Sequence, residues 1–159
     1  MTTERETTYD ELYLARVIAE QAHKGQVDKA GRPYIEHPVR VCKAIFSWAS
    51  SDLEAQALAL LHDVVEDCGK KKAAKLLKQH EFSAQVLEGL DAITRRHGEC
   101  WNDYIERIKG NPLARIVKLV DLEDNMTLTR IPELTPKWVA RLVKYHRAWR
   151  YLNGLSADL

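Results

Sequence analysis

The hexapeptide His62-Asp63-Val64-Val65-Glu66-Asp67 follows directly on the apolar run Ala57-Leu58-Ala59-Leu60-Leu61. Residues four apart share a helix face, so a continuous helix would stack His62 on Glu66 and Asp63 on Asp67. That gives two neighbouring polar stripes on a largely buried helix, and charges so placed need pairing or a metal. An imidazole with carboxylates is a mixed nitrogen and oxygen donor set. It suits Mn²⁺, Fe²⁺, Co²⁺ or Zn²⁺ with open water positions better than a closed structural zinc. The plainer alternative is a helix end whose acids face solvent, although acids at a helix C-terminus oppose the macrodipole.

Two further residues are candidates to complete a four-ligand site. His37 stands at a loop-to-helix junction in Pro33-Tyr34-Ile35-Glu36-His37-Pro38, and Asp121 ends the apolar run Val117-Lys118-Leu119-Val120. Alone, a His beside a Pro is usually structural and a single helical Asp is usually solvated. Their co-occurrence with His62-Asp63 makes the metal reading the stronger one.

The elements that must position these residues read as helices throughout. Thr8-x-x-Glu11 and Ser51-x-x-Glu54 have the form of capping boxes. The first opens a helix with Leu14, Val17, Ile18 and Ala22 at helical spacing, closed by Gly25. Pro38 fits the first turn of a second helix, with Val41, Cys42, Ile45 and Phe46 inward. A third runs from Ala55 towards Asp67. Shorter patterns cover residues 71–79 and 83–93, and Trp101, Tyr104, Ile105 and Ile108 mark another. Asn111-Pro112 and Thr135-Pro136 start the last two, the final helix carrying Trp138, Leu142, Tyr145, Trp149 and Leu152; Trp138, Trp149 and Leu152 read as core packing. Strand alternation is absent. The expectation is an all-α fold of roughly seven to nine helices in one domain spanning 1–159, with its core at about 8–153.

Composition narrows the function. The 159 residues are 45% hydrophobic and 30% charged, with a net charge of +1. No broad basic field points to nucleic acid or a membrane surface, though a small anion needs only a local positive pocket. No apolar run approaches the ~20 residues of a membrane span. Cys42, Cys68 and Cys100 form no CxxC pair, so neither a disulfide framework nor a structural zinc is expected, and a reducing cytoplasm is the natural setting.

Taken together, these residues resemble the HD-domain phosphohydrolases, and more closely the hydrolase module of RelA/SpoT-type alarmone enzymes and the stand-alone small alarmone hydrolases. The matching blocks are Ala22-His23-Lys24-Gly25-Gln26, Gly31-Arg32-Pro33-Tyr34-Ile35-Glu36-His37-Pro38, Ala59 to Asp67, and Val117 to Asp121 continued by Asn125-Met126. The resemblance spans about residues 10–153. It implies that His37, His62, Asp63 and Asp121 hold one ion, Mn²⁺ first with Fe²⁺, Co²⁺ or Zn²⁺ as alternatives. It implies that Glu66 and Asp67 are the catalytic acids that orient or deprotonate the attacking water. Lys29, Tyr34, Asn125, Arg141 and Tyr145 match substrate-contact positions. Lys118, and more weakly Arg95 and Arg96, are further candidates to neutralise a polyphosphate. His23 reads as a supporting residue, and His80, His97 and His146 as surface residues.

Two departures from the family pattern concern the substrate. Asp28 stands where many members carry an Arg, and Leu122-Glu123-Asp124-Asn125 replaces the frequent Arg-Leu-His-Asn. Neither touches the four candidate ligands; Asp28 raises an adenine base as an alternative to guanine. The leading expectation is removal of the 3′-pyrophosphate from a guanosine or adenosine 3′,5′-polyphosphate, with no synthetase module to make one. The alternatives are an HD-type phosphatase acting on a nucleoside monophosphate, the 2′-phosphate of NADPH or another 3′-phosphorylated nucleotide, and a nucleotide-binding module without turnover. Native metal and the choice between monomer and homodimer stay open.

Overall fold

The computed structural model describes residues 9–48, 52–78 and 80–159, so the two expected capping boxes, which need Thr8 and Ser51, lie outside the described residues. Among the described residues the elements are α1 (Tyr9–Ala22), α2 (Glu36–Trp48), α3 (Leu53–Leu61), α4 (Val64–Cys68), α5 (Lys70–Lys78), α6 (Ala84–Ile93), α7 (Trp101–Lys109), α8 (Pro112–Asn125), a 3-10 turn (Leu128–Arg130) and α9 (Pro136–Leu152). The all-α expectation holds; the sole extended feature there is an isolated antiparallel bridge between Val27 and Pro33.

α3 is the hub. Every residue from Ala55 to Leu61 is buried, as befits a helix that is apolar all round. It packs against α1, α2, α6 and α8. Asp52 is its N-cap, its side chain accepting from the Ala55 amide at 2.9 Å. Small residues permit close approach: a Cβ added to Gly89 of α6 would lie 2.7 Å from Leu58 Cδ2 and 3.3 Å from Leu113 Cδ2.

Several boundaries differ from the pattern-based reading. Pro38 does fall in the first turn of α2, which starts at Glu36, but Phe46, expected inward, is 57% exposed although Val41 and Ile45 on the same helix are fully buried. The core face of α9 is Ala148, Tyr151 and Leu152, with Trp149 packed at its edge. Trp138 lies on the first turns of α9, beyond that face, and lines a pocket instead of the core.

The largest difference concerns the expected long helix from Ala55 to Asp67. It breaks at His62-Asp63: His62 keeps αR angles (φ −57°, ψ −33°), Asp63 departs to φ −98°, ψ −7°, and α4 restarts at Val64. Glu66 and Asp67 therefore sit on a separate five-residue helix and no longer end a long helix whose dipole would oppose them. The break removes the electrostatic objection to those acids.

Candidate metal centre and active-site pocket

His62 is buried at 2% exposure, and its orientation is fixed locally. Its Nδ1 lies 2.7 Å from the Ala59 carbonyl, which can only accept, so Nδ1 carries the proton and Nε2 presents a lone pair. That Nε2 has no hydrogen-bond partner, yet it faces Asp63 Oδ2 at 3.1 Å and Asp121 Oδ1 at 3.7 Å. His37 repeats the arrangement. Its Nδ1 donates to Asp124 Oδ2 at 2.8 Å, and its Nε2 faces Asp121 Oδ1 at 3.1 Å and Asp63 Oδ2 at 3.6 Å. Two imidazole lone pairs and two carboxylates thus converge, an arrangement that repels itself unless a cation or shared protons intervene.

The protonation tendencies record that demand. Burial works against charge on His37 and His62, but the facing carboxylates outweigh it and raise both pKa values. Burial likewise opposes ionisation of Asp63 and Asp121, and the imidazoles, joined at Asp121 by Lys118, drive both well below the usual carboxylate range. Each carboxylate is also held from outside the cluster. Tyr34 donates to Asp63 Oδ2 at 2.7 Å, Lys118 Nζ lies 2.8 Å from Asp121 Oδ2, and Asn125 Nδ2 donates to Asp121 Oδ1 at 2.6 Å.

Asp124 belongs to the departure expected to touch none of the four candidate ligands, and that expectation fails: it accepts from His37 Nδ1 at 2.8 Å. It also takes Arg40 Nε at 2.9 Å and Arg40 Nη2 at 3.0 Å, and Arg130 Nη2 lies 2.8 Å from its Oδ1. Burial pushes its carboxyl up, but the bonds from His37 and Arg40 hold it at about 2. Leu122, the other departure in that tetrad, is buried in the core at 1% exposure and so falls on the packing side of α8. Glu123 accepts from Trp149 Nε1 at 2.8 Å and ties α8 to α9.

His37, Asp63, Asp121 and Asp124 form the floor of a pocket of about 500 Å³, while buried His62 is not among its lining residues. Glu66 lines it, its Oε1 accepting the Arg95 amide at 2.7 Å; burial, with the Asp63 charge adding to it, pushes the Glu66 carboxyl up. Asp67 is not among the lining residues. It accepts from Gln26 Nε2 at 2.8 Å, while Gln26 Oε1 pairs with Nδ1 of buried His23 at 2.8 Å. Asp67 and His23 thus anchor the loop that follows α1.

Lys29, Tyr34, Asn125, Arg141 and Tyr145 all line the pocket, together with Lys118 and Arg95. Arg96 does not; it is exposed and lies 3.3 Å from Asp91. Lys144, unmarked in the sequence, lines the pocket, as do Trp101, read there only as part of a helix, and Trp138, read as core. The spacing Trp138, Arg141, Tyr145 on one helix was the available signal: i, i+3 and i+7 share a face. Asp28 also lines the pocket, but its Oδ1 accepts the amides of Ala30 and Arg32 at 2.8 and 2.9 Å, shaping the loop that Gly31 turns at φ +78°.

A model of the HD domain matches residues 15–121, two-thirds of the chain and all four convergent donors. The chain belongs to the HD domain family. A guanosine-3′,5′-bis(diphosphate) 3′-pyrophosphohydrolase of Vibrio cholerae is 33% identical over 131 residues, covering 82% of this chain and 18% of that protein. An enzyme of the same description from Borreliella burgdorferi is 32% identical over 135 residues, covering 77% and 20%. The HD domain chain therefore spans about a fifth of the length of these curated relatives. A solved structure of a metazoan SpoT orthologue, described as hydrolysing ppGpp and acting in starvation responses, superposes with a TM-score of 0.70 at 22% identity. It covers 97% of this chain and 92% of the other, and shows a shared fold.

An HD domain implies a divalent metal, and the donors fit one. His37, His62 and Asp63 offer ligand atoms within 4.8 Å of one another, and the buried Nε2 of His62 is left without a hydrogen-bond partner. The chemistry of the set, two imidazoles and carboxylates, is that of a borderline divalent ion.

Proposed function

We propose that this chain is a metal-dependent phosphohydrolase that removes the 3′-pyrophosphate from a guanosine 3′,5′-polyphosphate or its adenosine analogue. The observation that carries the reading is the polarity of one pocket. His37 and the acids Asp63 and Asp121, fit with buried His62 for a metal, line one part of it, and Lys29, Arg141 and Lys144 line it too with no ion pair among the described residues. The names of the bacterial relatives point to the same substrate class.

In this reading His37, His62, Asp63 and Asp121 hold the ion, Mn²⁺ first among Mn²⁺, Fe²⁺, Co²⁺ and Zn²⁺. When bound, the ion supplies a lowered pKa for water and polarises a phosphoryl oxygen. Glu66 is the group that takes the proton from the attacking water, since it faces the pocket and its raised pKa makes it the better base. Asp67 acts through Gln26, holding the loop that carries Lys29. Tyr34 and Asn125 keep Asp63 and Asp121 turned inward while presenting their own edges to the ligand. Lys118, clamped to Asp121, sets the charge of the floor; Arg141, Lys144 and Lys29 meet the phosphates, and Tyr145 lies against the nucleoside.

Asp28 keeps the adenine reading in play, because a carboxylate at the pocket wall suits an exocyclic amine. A substrate panel of ppGpp, pppGpp, ppApp and NADPH with added Mn²⁺ tests the proposal. Pyrophosphate from at least one of the first three supports it, and turnover restricted to NADPH, with orthophosphate release, refutes it.

A further inference from the structure

Beyond the walls of the main pocket lies a second cavity, of about 330 Å³, whose lining includes Lys29, Lys137, Trp138 and Arg141. Lys29, Trp138 and Arg141 line both cavities, so the two adjoin across these side chains. Lys29 Nζ sits 4.6 Å and Arg141 Cζ 5.2 Å from the centroid of that indole. Lys29, Lys137 and Arg141 make no ion pair among the described residues. Glu133 is the one acid on the lining, leaving three cations against one carboxylate. Burial first, then the charges of Arg141 and Lys137, lowers the pKa of Lys29. Three cations against one carboxylate, in a cavity that shares Lys29, Trp138 and Arg141 with a nucleotide-sized pocket, make a receptor for the far end of an elongated anion. The positive end of α9, whose first residue is Pro136, adds to the same field.

Resting on the reading given under Proposed function, we propose that this second cavity seats the 5′-phosphate chain of the nucleotide, so that the protein favours a 5′-triphosphate over a 5′-diphosphate. With the 3′ group at the acid floor, the 5′ chain leaves the nucleoside towards Trp138. Each added phosphate then meets a further cation among Lys29, Arg141 and Lys137.

The test uses chelator-treated protein, in which no turnover interferes, and calorimetric titration with guanosine 5′-mono-, di- and triphosphate. Affinity rises with each phosphate, by roughly three- to tenfold from di- to triphosphate. Lys137→Ala and Lys29→Ala reduce that last increment to about twofold or less, while Lys75→Ala, removing an exposed charge on α5, leaves it intact. Lys137→Glu reverses it, and thermal melts confirm that each variant folds. Equal affinities in the wild type, or an increment untouched by both Lys137 variants, overturn the proposal. Pyrophosphate release from ppGpp is assayed on a portion of the same protein to which Mn²⁺ has been restored. A phosphate-dependent affinity without pyrophosphate release refutes the functional reading and leaves the subsite standing; release with a flat affinity series does the reverse.

Discussion

At the scale of single residues, His62 shows how the fold aims a side chain as a candidate metal donor. Its Nδ1 is spent on the Ala59 carbonyl, three residues back on its own chain, which leaves Nε2 aimed at Asp63 and Asp121. This much was legible, because a histidine and acids interrupting an apolar run must answer to something. Asp124 was not, since the partner that gives it meaning, His37, lies 87 positions away. A carboxylate that orients a ligating imidazole typically changes metal affinity on removal. Asp124→Ala is accordingly expected to weaken Mn²⁺ binding by about 10–100-fold in a direct titration; unchanged affinity would show that His37 needs no such support. Glu66→Gln preserves shape and abolishes proton acceptance, so kcat falls by about 10²–10⁴-fold with KM nearly constant. Asp67→Asn, which leaves the pocket lining intact, costs less. Steady-state kinetics of the two variants decide the order, and an equal loss would make both acids direct participants.

At the scale of elements, the break between α3 and α4 is the step that periodicity could not foresee. Val64 and Val65 continue the apolar count, so the pattern runs on, while the backbone turns at Asp63 to put Glu66 at the pocket. Trp138 misled for the complementary reason: its spacing from Trp149 suits a buried face, but the first turns of α9 extend past the core and face the ligand cavity. The hub helix α3 sets how closely α6 approaches, and Gly89 permits that approach. Gly89→Val drives a branched side chain into Leu58 and Leu113, with an expected loss of about 2–3 kcal/mol by denaturant unfolding. A stability equal to wild type would mean that α6 can slide at no cost.

Across the whole molecule, a net charge of +1 conceals a pocket lined by both a cluster of acids and several cations without ion pairs among the described residues. Composition could exclude a basic surface field but could not show this arrangement, because it arises from residues of the loop after α1 and helices α2, α4, α8 and α9. No helix among the described residues is long and apolar enough to cross a membrane. The candidate metal cluster also gives the metal-free protein a pH signature. His37 and His62, with raised pKa values, contribute stability that is full below the ordinary histidine range and lost as pH rises through the raised values. Asp63 and Asp121, with depressed values, contribute stability above the ordinary carboxylate range that is lost as pH falls. A metal competes with the imidazole protons, so the rise in Tm produced by Mn²⁺ should grow from about pH 6 to about pH 8.5. A constant or shrinking rise in thermal melts would mean that the histidines are not the metal's donors.

The most direct measurement of the central claim is product stoichiometry with ppGpp and Mn²⁺. The account predicts pyrophosphate and GDP in equal amounts, with turnover abolished by chelator, restored by Mn²⁺ and lost in His62→Ala. Orthophosphate as the sole product, or a rate indifferent to both chelator and His62, would contradict it.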